Sequence, residues 1–491
     1  MENITEMVQD FKSFEINLYE TMCKIACEQI EQYLSWLDLN ILGIRDTSEY
    51  RNVGIRETTI KTVFGEVSYK RRYYKDTRSG EHVFLLDKAM GIGGEYGLVS
   101  ENLAEQIVHE CAEKSFRKSA STISNNTGQS ISPMGVWNIV QRYGEVIAKQ
   151  VDRLAELDDS GSSGHLGGIA TRVLFNEYDD VYIPRQREQR RKSGEAAKGA
   201  KKIGKKLGKL PMHVGVAYTG WAEGTGGRSN TANKIAYASF GKVPDFIDKF
   251  EALLNNRFDM DRVRIRITNG DGEQWIRTAA ANSGSILQLD PFHRSQAIFR
   301  AVSDKTQRKR ILDAVNGKDV QKVLDTICDM ILETQEETSI KKLAKLYGYF
   351  NSNIDSFLTW QERGMELPTP PKGIAYRGMG VQESSNCLIT QRMKNRRGSW
   401  SEKGANNMAS ILSFRGTIGL DAILGELPEP EPTHPFAEPL SVAKAPLHDG
   451  KGYGADWLNA QMPIEKAFRT NGREAIINLV RMKPISEMSF I

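Results

Sequence analysis

The chain has 491 residues, 40% of them hydrophobic, and a formal net charge of +4 at pH 7. This length allows several domains, and the apolar fraction is enough to fill ordinary hydrophobic cores. The sequence has no run of 18 apolar residues and begins with a polar, acidic segment, so we expect a cytoplasmic protein without a membrane partner. Its five cysteines are scattered, which argues against a structural zinc site.

The first hundred residues predict a helix and then a hairpin. Residues 1–50 carry apolar side chains at helical spacing, whereas residues 51–98 change to a period of two around Gly65. The second hairpin strand ends in a basic and aromatic stretch that fits either phosphate contact or a plain solvated strand face. The stretch runs from Lys70 to Lys75, and its candidate DNA-binding residues are Lys70, Arg71 and Arg72.

Residues 99–158 predict three helices in succession. Ser132 followed by Pro133 is typical of a helix N-cap and first position, and a short glycine-containing turn precedes them. Two helices joined in this way favour a helix-turn-helix DNA-binding domain, although a plain helical hairpin fits the same pattern. A linker rich in serine and glycine is expected at residues 160–168.

The remaining chain predicts a mixed α/β domain that a helical segment interrupts. Short apolar runs and helices alternate in residues 168–294, and residues 374–420 are expected to complete that domain. Residues 295–373 predict an all-helical insertion. Residues 421–491 are rich in proline and predict an extended tail.

One segment of this domain is strongly basic. Residues 184–209 contain eleven lysines and arginines against two glutamates. Such a local excess predicts contact with a nucleic-acid backbone that does not depend on base sequence. The candidate residues are Arg185, Arg187, Arg190, Arg191, Lys192, Lys201, Lys202, Lys205 and Lys206.

Three acidic residues have distinctive surroundings, in the order Asp, Asp, Glu. Asp179 is expected to end an apolar strand, Asp271 stands between two glycines after a strand, and Glu383 begins a predicted helix. Cleavage of a phosphodiester can use two divalent cations held by carboxylates, so together these acids predict a two-metal site for Mg²⁺ or Mn²⁺. Each acid alone also fits a surface turn or a helix N-terminus.

Other polar residues accompany these acids. Asp290 and His293 lie three positions apart after a predicted strand, where they fit either a structural pair or part of the site. Basic residues follow Glu383 along its helix, and a carboxylate ligand beside such charges suits a site for metal and phosphate together. They are Arg392, Lys394, Arg396 and Arg397.

Several of these motifs, in this order within residues 55–420, resemble bacterial insertion-sequence transposases of the Lre class, which are relatives of the Mutator-like transposases. The resemblance is carried by the hairpin from Thr62 to Tyr74, Val136-Trp137-Asn138-Ile139-Val140, Gly270-Asp271-Gly272 with Trp275-Ile276, Leu289-Asp290-Pro291-Phe292-His293, and Glu383-Ser384-Ser385-Asn386 with Met393-Lys394 and Ser399-Trp400-Ser401.

The resemblance implies an α/β fold with added helices: a ribonuclease-H-like catalytic core with an all-helical insertion, preceded by the hairpin and the helix-turn-helix. It implies that Asp179, Asp271 and Glu383 bind two Mg²⁺ or Mn²⁺ ions and that Asp290 and His293 are an accessory pair. The family usually has Glu-Ala-Asp-Gly at the first acid. This chain has Glu177-Tyr178-Asp179-Asp180, so the first ligand is open among its three acids.

The implied function is that of a DNA transposase of an insertion sequence. Such an enzyme binds the terminal inverted repeats of its element, cleaves DNA strands and joins the new 3′ ends to target DNA, as a homo-oligomer on double-stranded DNA at the bacterial nucleoid. Two alternatives remain. One is a catalytically inactive, transposase-derived DNA-binding protein, and the other is a metal-dependent, structure-specific nuclease.

Overall fold

The fold begins with a long helix packed against a small antiparallel sheet. The structure, a computed structural model, describes residues 10–92, 98–160, 168–186, 208–224, 229–395 and 398–415. The elements are helix α1 (Phe11–Ile44), strands β1 (Tyr50–Lys61), β2 (Glu66–Asp76) and β3 (His82–Val83), and helix α2 (Leu85–Met90). Leu34 and Ile41 of α1 pack with Val67 and Tyr69 of β2. The predicted helix and hairpin are therefore confirmed.

Three helices follow the hairpin, as predicted. They are α3 (Glu101–Glu113), α4 (Phe116–Thr127) and α5 (Pro133–Asp159). The Ser132 hydroxyl accepts a hydrogen bond from the backbone N–H of Gly135 at 3.0 Å, so it caps α5 with Pro133 at the first position. The arrangement of α4, a short turn and α5 is compatible with a helix-turn-helix, whose binding to DNA stays a prediction.

A five-stranded mixed sheet forms the centre of the fold. Its strands are β5 (Val173–Pro184), β6 (Lys209–Tyr218), β9 (Ile235–Ser239), β11 (Ile265–Gly270) and β12 (Ile286–Leu289), in the spatial order β12-β11-β5-β6-β9. Strands β5, β6 and β9 are antiparallel neighbours, whereas β11 and β12 run parallel to β5. The protein is thus of the mixed α/β kind.

Two small sheets in the described part of the chain are separate from the central sheet. Strands β4 (Ile169–Ala170) and β10 (Phe258–Asp259) pair with each other, and β7 (Gly220–Glu223) lies between β8 (Ser229–Ala232) and β13 (Ile374–Ala375).

Helices cover the central sheet because both of its faces are apolar. These helices are α6 (Val243–Arg257), α7 (Gln274–Asn282), α12 (Gln382–Met393) and α13 (Glu402–Arg415). Leu174 and Tyr178 of β5 belong to the core shared with α5, α6 and α13, while Phe175 belongs to a second cluster that includes Trp221. The central strand is therefore buried from both sides.

The predicted helical insertion is present between β12 and β13. It contains α8 (Pro291–Ala301), α9 (Lys305–Asn316), α10 (Val320–Glu333) and α11 (Glu337–Ser352). Side chains such as Ile298, Ile327 and Phe350 form a core separate from that of the sheet. Its first helix begins at Pro291, four residues before the predicted boundary, because Asp290 caps it directly after β12.

Strand β5 corrects one expectation, because Asp179 does not end it. The strand continues to Pro184, with Val181 and Ile183 buried and with antiparallel pairing to β6 as far as Lys209. Its parallel pairing with β11, however, stops at Glu177. Asp179 therefore lies just beyond the end of the parallel pair.

Some predictions concern residues outside those that the structure describes. They are the linker at 161–167, the basic residues at 187–207 and the tail at 421–491. Within the described ranges, none of the helices combines the length and the apolarity that a membrane span requires.

Candidate functional site

Two of the three candidate acids meet at one end of the central sheet. Asp271 directly follows Gly270, the last residue of β11, and Asp179 lies two residues past Glu177, where β5 stops pairing with β11. Burial raises the pKa of Asp179 to about 6, and the negative charge of Asp271 acts in the same direction. Burial also raises the pKa of Asp271. The two carboxylates are therefore neighbours in a partly buried site.

The loop that carries Asp271 is stabilised by a hydrogen bond within the loop and by contacts with the helical insertion. The Asp271 carboxylate accepts a hydrogen bond from the backbone N–H of Glu273 at 2.9 Å, and the Tyr349 hydroxyl of α11 donates to the Asp271 carbonyl oxygen at 2.6 Å. Gly272 has a φ of 87°, a backbone conformation that favours glycine. A Cβ at Gly272 would lie 2.7 Å from Cγ of Asn353, which is buried at the end of the same helix.

Arg277 of α7 makes a further connection between this loop and the insertion. Its guanidinium donates to the Gly272 carbonyl oxygen through Nε at 3.0 Å and to the Ser352 carbonyl oxygen at 2.7 Å. The position of Asp271 thus depends on contacts from α7 and from the C-terminal end of α11.

Helix α12, which contains Glu383 in its first turn, lies beside Asp179. The Asn386 amide, one helical turn after Glu383, donates a hydrogen bond to Asp179 Oδ2 at 2.5 Å. The side chain of Glu383 is outside the described part of the structure. The backbone alone therefore brings the third candidate acid to the same end of the sheet as the first two.

The other two acids of β5 are engaged in different ways. Asp180 points to the opposite face of the strand from Asp179 and lies 2.6 Å from Nδ1 of His213. Glu177 is on the same face as Asp179, but its side chain is fully buried. Its carboxylate accepts five hydrogen bonds, from the Tyr218 hydroxyl, the Asn269 amide and the backbone N–H groups of Gly380, Val381 and Gln382.

The predicted Asp290 and His293 pair is formed and adjoins the acids. Asp290 caps helix α8, and its Oδ2 lies 2.8 Å from Nδ1 of His293. Burial alone would lower the pKa of His293, but the hydrogen bond with Asp290 and the charge of Asp179 raise it above its ordinary value. The Asn269 amide bonds to both Asp290 and Glu177, so one buried polar network joins the pair to β5.

The donor chemistry at this end of the sheet fits a divalent cation. Carboxylate oxygens are the ligands that Mg²⁺ and Mn²⁺ prefer, and a cation would relieve the cost of placing two negative charges close together in a partly buried position. Among the side chains that the structure describes, no three of the His, Cys, Asp and Glu residues are grouped for metal binding. Glu383, the candidate third ligand, is not among those side chains.

Two of the three candidate DNA-binding residues of the hairpin have partners inside the protein. Arg71 forms an ion pair with Asp87 and its guanidinium lies over the Phe84 ring, and Arg72 forms an ion pair with Asp38. These contacts correct the expectation of phosphate binding for Arg71 and Arg72, whose side chains hold the hairpin against α1 and α2. Lys70 is exposed, as phosphate contact would require.

Arg392 is also an internal residue, which corrects its predicted contact with DNA. Only 5% of it is exposed, its Nε donates to the Cys111 carbonyl oxygen at 2.5 Å, and its guanidinium lies over the rings of both Phe116 and Trp400. It therefore joins α12 to α3 and α4.

The remaining basic candidates are either at least partly exposed or outside the residues that the structure describes. Lys394 is exposed, and Arg185 is partly exposed at 3.9 Å from Glu402. The others lie outside the described residues: Arg187, Arg190, Arg191, Lys192, Lys201, Lys202, Lys205, Lys206, Arg396 and Arg397.

Comparison with known proteins places the chain in a family. The model of the uncharacterised protein family UPF0236 matches residues 4–423. The chain belongs to this family. One similar relative is the UPF0236 protein in the vanSb 3′ region of Streptococcus gallolyticus, which is 24% identical over 422 residues, with 84% of each chain covered.

Another UPF0236 protein, from Caldanaerobacter subterraneus subsp. tengcongensis, is 22% identical over 417 residues and bears eleven TTE designations; the match covers 84% of this chain and 78% of that protein. Among solved structures, the pre-cleavage Mos1 transpososome is 12% identical, with 52% of this chain and 78% of that chain covered and a TM-score of 0.13. A TM-score this low supports no conclusion about fold or function.

In this UPF0236 member, the supporting residues of the site were not predicted from sequence. The sequence indicates Glu177 only as an alternative ligand, and it indicates Tyr349 and Asn353 only as parts of a helical insertion. The alternation of side chains along a strand does place Glu177 on the same face as Asp179, and this pattern indicates that Glu177 lies close to the site. No local signal indicated that α11 contacts the Asp271 loop, 78 positions away from Tyr349.

Proposed function

We propose that this protein is a DNA transposase that cleaves strands at the ends of its own element and joins them to target DNA. The observation that carries the proposal is the meeting of Asp179, Asp271 and the Glu383 helix at one end of a mixed sheet. Three antiparallel strands followed by two parallel ones, with a helical insertion before the Glu383 helix, agree with the ribonuclease-H-like core that the sequence resemblance implies.

In this proposal Asp179, Asp271 and Glu383 hold two Mg²⁺ or Mn²⁺ ions. Ions held by these carboxylates would supply activation of the attacking water or 3′-hydroxyl and stabilisation of the leaving oxygen. Asp179 is the preferred first ligand because Glu177 and Asp180 are engaged elsewhere. His293 lies near both aspartates as part of the accessory pair with Asp290.

The exposed basic residues and the α4–α5 pair would contact the duplex, and the protein would act as a homo-oligomer on DNA. Lys70 and Lys394 are exposed, and Trp137 and Asn138 are exposed in the first turns of α5. The eleven designations of the Caldanaerobacter relative also support the proposal, because copies of one mobile sequence in a genome would acquire such a set of names.

The decisive experiment is an assay of strand cleavage and of strand joining to target DNA. Its substrate is the DNA that flanks the gene, which would contain the ends of the element. Asp271→Asn should still bind the element ends in a gel-shift assay and should lose cleavage with Mg²⁺ and with Mn²⁺, because one carboxylate ligand becomes a neutral amide. Asp313→Asn, an exposed position on α9, is the matched control and should cleave like the wild type.

Each alternative function gives a different result. A structure-specific nuclease would cleave without joining 3′ ends to a target, and an inactive DNA-binding relative would bind without cleaving in either metal. Cleavage by Asp271→Asn at the wild-type rate would contradict the assignment of the site.

A further inference from the structure

The fully buried carboxylate of Glu177 lies two residues before Asp179 on the central strand. Its Oε1 accepts from the Tyr218 hydroxyl at 2.5 Å and from the backbone N–H groups of Gly380 at 3.1 Å and Val381 at 2.9 Å. Its Oε2 accepts from the Gln382 N–H at 3.1 Å and the Asn269 amide at 3.3 Å. A carboxylate offers about four lone-pair positions, so five donors leave none for a metal ion.

Two of these donors are the backbone N–H groups of Val381, the N-cap residue of helix α12, and of Gln382, its first residue, and the third donor, Gly380, directly precedes them. The first N–H groups of a helix have no partner within it and carry partial positive charge. A serine, threonine or aspartate at the N-cap usually accepts a hydrogen bond from the second or third helical N–H group, but Val381 at this N-cap has an apolar side chain. Glu177 therefore acts as the cap, from a position 203 to 205 residues earlier in the chain.

The capped residues immediately precede Glu383. Because the cap comes from β5, it fixes the first turn of α12 to the strand that bears Asp179. A second bond, from Asn386 to Asp179, fixes the following turn to the same strand. Together these contacts set the position and the rotation of the helix backbone at Glu383.

We infer that Glu177 is a positioning residue: it caps the Glu383 helix and fixes it beside Asp179, and it is not a metal ligand. The consequence for metal binding rests on the proposed function, whereas the capping of α12 does not.

Amide hydrogen exchange of the metal-free, full-length protein tests the cap directly. In Glu177→Gln, a single carbonyl oxygen replaces two acceptor oxygens, and the new NH₂ group faces backbone donors. We expect exchange in residues 380–388 to increase about tenfold or more, while residues 320–350 of the insertion keep wild-type protection. Unchanged exchange in residues 380–388 would overturn the inference.

Two further variants make the result specific. Glu362→Gln is the matched control because its carboxylate also accepts a backbone N–H, that of Thr359, but within the insertion. It should leave exchange in residues 380–388 unchanged. Tyr218→Phe removes one donor and keeps the carboxylate, so it should cause a smaller increase than Glu177→Gln, and it serves as the test if Glu177→Gln does not fold.

Titration with Mn²⁺ separates a positioning residue from a ligand. Glu177→Gln should keep a Mn²⁺ site, measured by electron paramagnetic resonance, whereas Asp179→Asn should lose it. Loss of the site in Glu177→Gln together with unchanged exchange would identify Glu177 as a ligand and overturn the inference. If the wild type binds no Mn²⁺, the proposed two-metal function fails, and the exchange experiment still decides whether Glu177 caps α12.

Discussion

Replacing Gly272 by alanine should destabilise the loop that carries Asp271. Two costs add at this position. The first is backbone strain, because the φ of 87° is one that side-chain-bearing L-residues rarely adopt. The second is a steric clash, because the new Cβ would lie 2.7 Å from Cγ of Asn353. Asn353 cannot withdraw easily, since it is 2% exposed and its amide donates to the Tyr349 carbonyl oxygen.

The size of each cost follows from similar cases. A non-glycine residue at positive φ costs roughly 1–2 kcal/mol. Inserting a methyl group into a packed place costs about 1–3 kcal/mol. The free energy of unfolding should therefore fall by about 2–5 kcal/mol in Gly272→Ala.

Gly284 offers a matched control on the next loop. Its φ is 61°, and a Cβ there would meet no atom within 4 Å. Gly284→Ala should therefore show the backbone cost alone, and urea unfolding of both variants isolates the clash as their difference. Asn353→Ala combined with Gly272→Ala should recover most of that difference.

Equal destabilisation by Gly272→Ala and Gly284→Ala would refute the packing of the Asp271 loop against Asn353. A combined variant that is no more stable than expected from adding the two single changes would do the same.

Three other predictions concern two charged pairs and one exposed lysine. Burial opposes ionisation of Glu362, but hydrogen bonds from Arg294 outweigh it and lower its pKa below 4.5, so this carboxylate stabilises the fold at neutral pH. Glu362→Gln should cost about 2 kcal/mol at pH 7, and urea titrations should show the difference shrinking as pH falls below about 4.5. Arg72→Ala should cost about 3 kcal/mol because the buried Asp38 loses its ion-pair partner and keeps the hydrogen bond from the backbone N–H of residue 72. The exposed Lys70→Ala should change the free energy of unfolding by less than about 0.5 kcal/mol. It should also reduce by about 1 the slope of the logarithm of the DNA-binding constant against the logarithm of salt concentration. Equal losses of stability in Arg72→Ala and Lys70→Ala would contradict the buried position of Arg72 and the exposed position of Lys70.

The sequence predicts helices and strands correctly where residues that are close in the chain determine their ends. Ser132 and Pro133 mark the start of α5 because capping and proline geometry act within one turn. The sequence predicts a strand β5 that is too short, because acids at 179 and 180 are typical of a turn. The buried Val181 and the long antiparallel partner β6 outweigh that local preference.

The support of the site depends on contacts between distant parts of the chain, and local patterns do not contain these. Arg72 has the same local appearance as Lys70, yet its partner Asp38 lies 34 positions earlier on a different element. The cap on α12 comes from a strand more than 200 positions away. A single sequence shows that Glu177 can accept hydrogen bonds, but it does not show which donors the fold will supply.

The long separation between Glu177 and α12 has a consequence for synthesis on the ribosome. At about 5–20 residues per second, the 203 residues between Glu177 and Gly380 take roughly 10–40 s to emerge. During that interval the strand carrying Glu177 and Asp179 exists without the backbone donors that its buried carboxylate requires. Closure of the site is therefore a late step of folding, and it follows synthesis of the whole insertion.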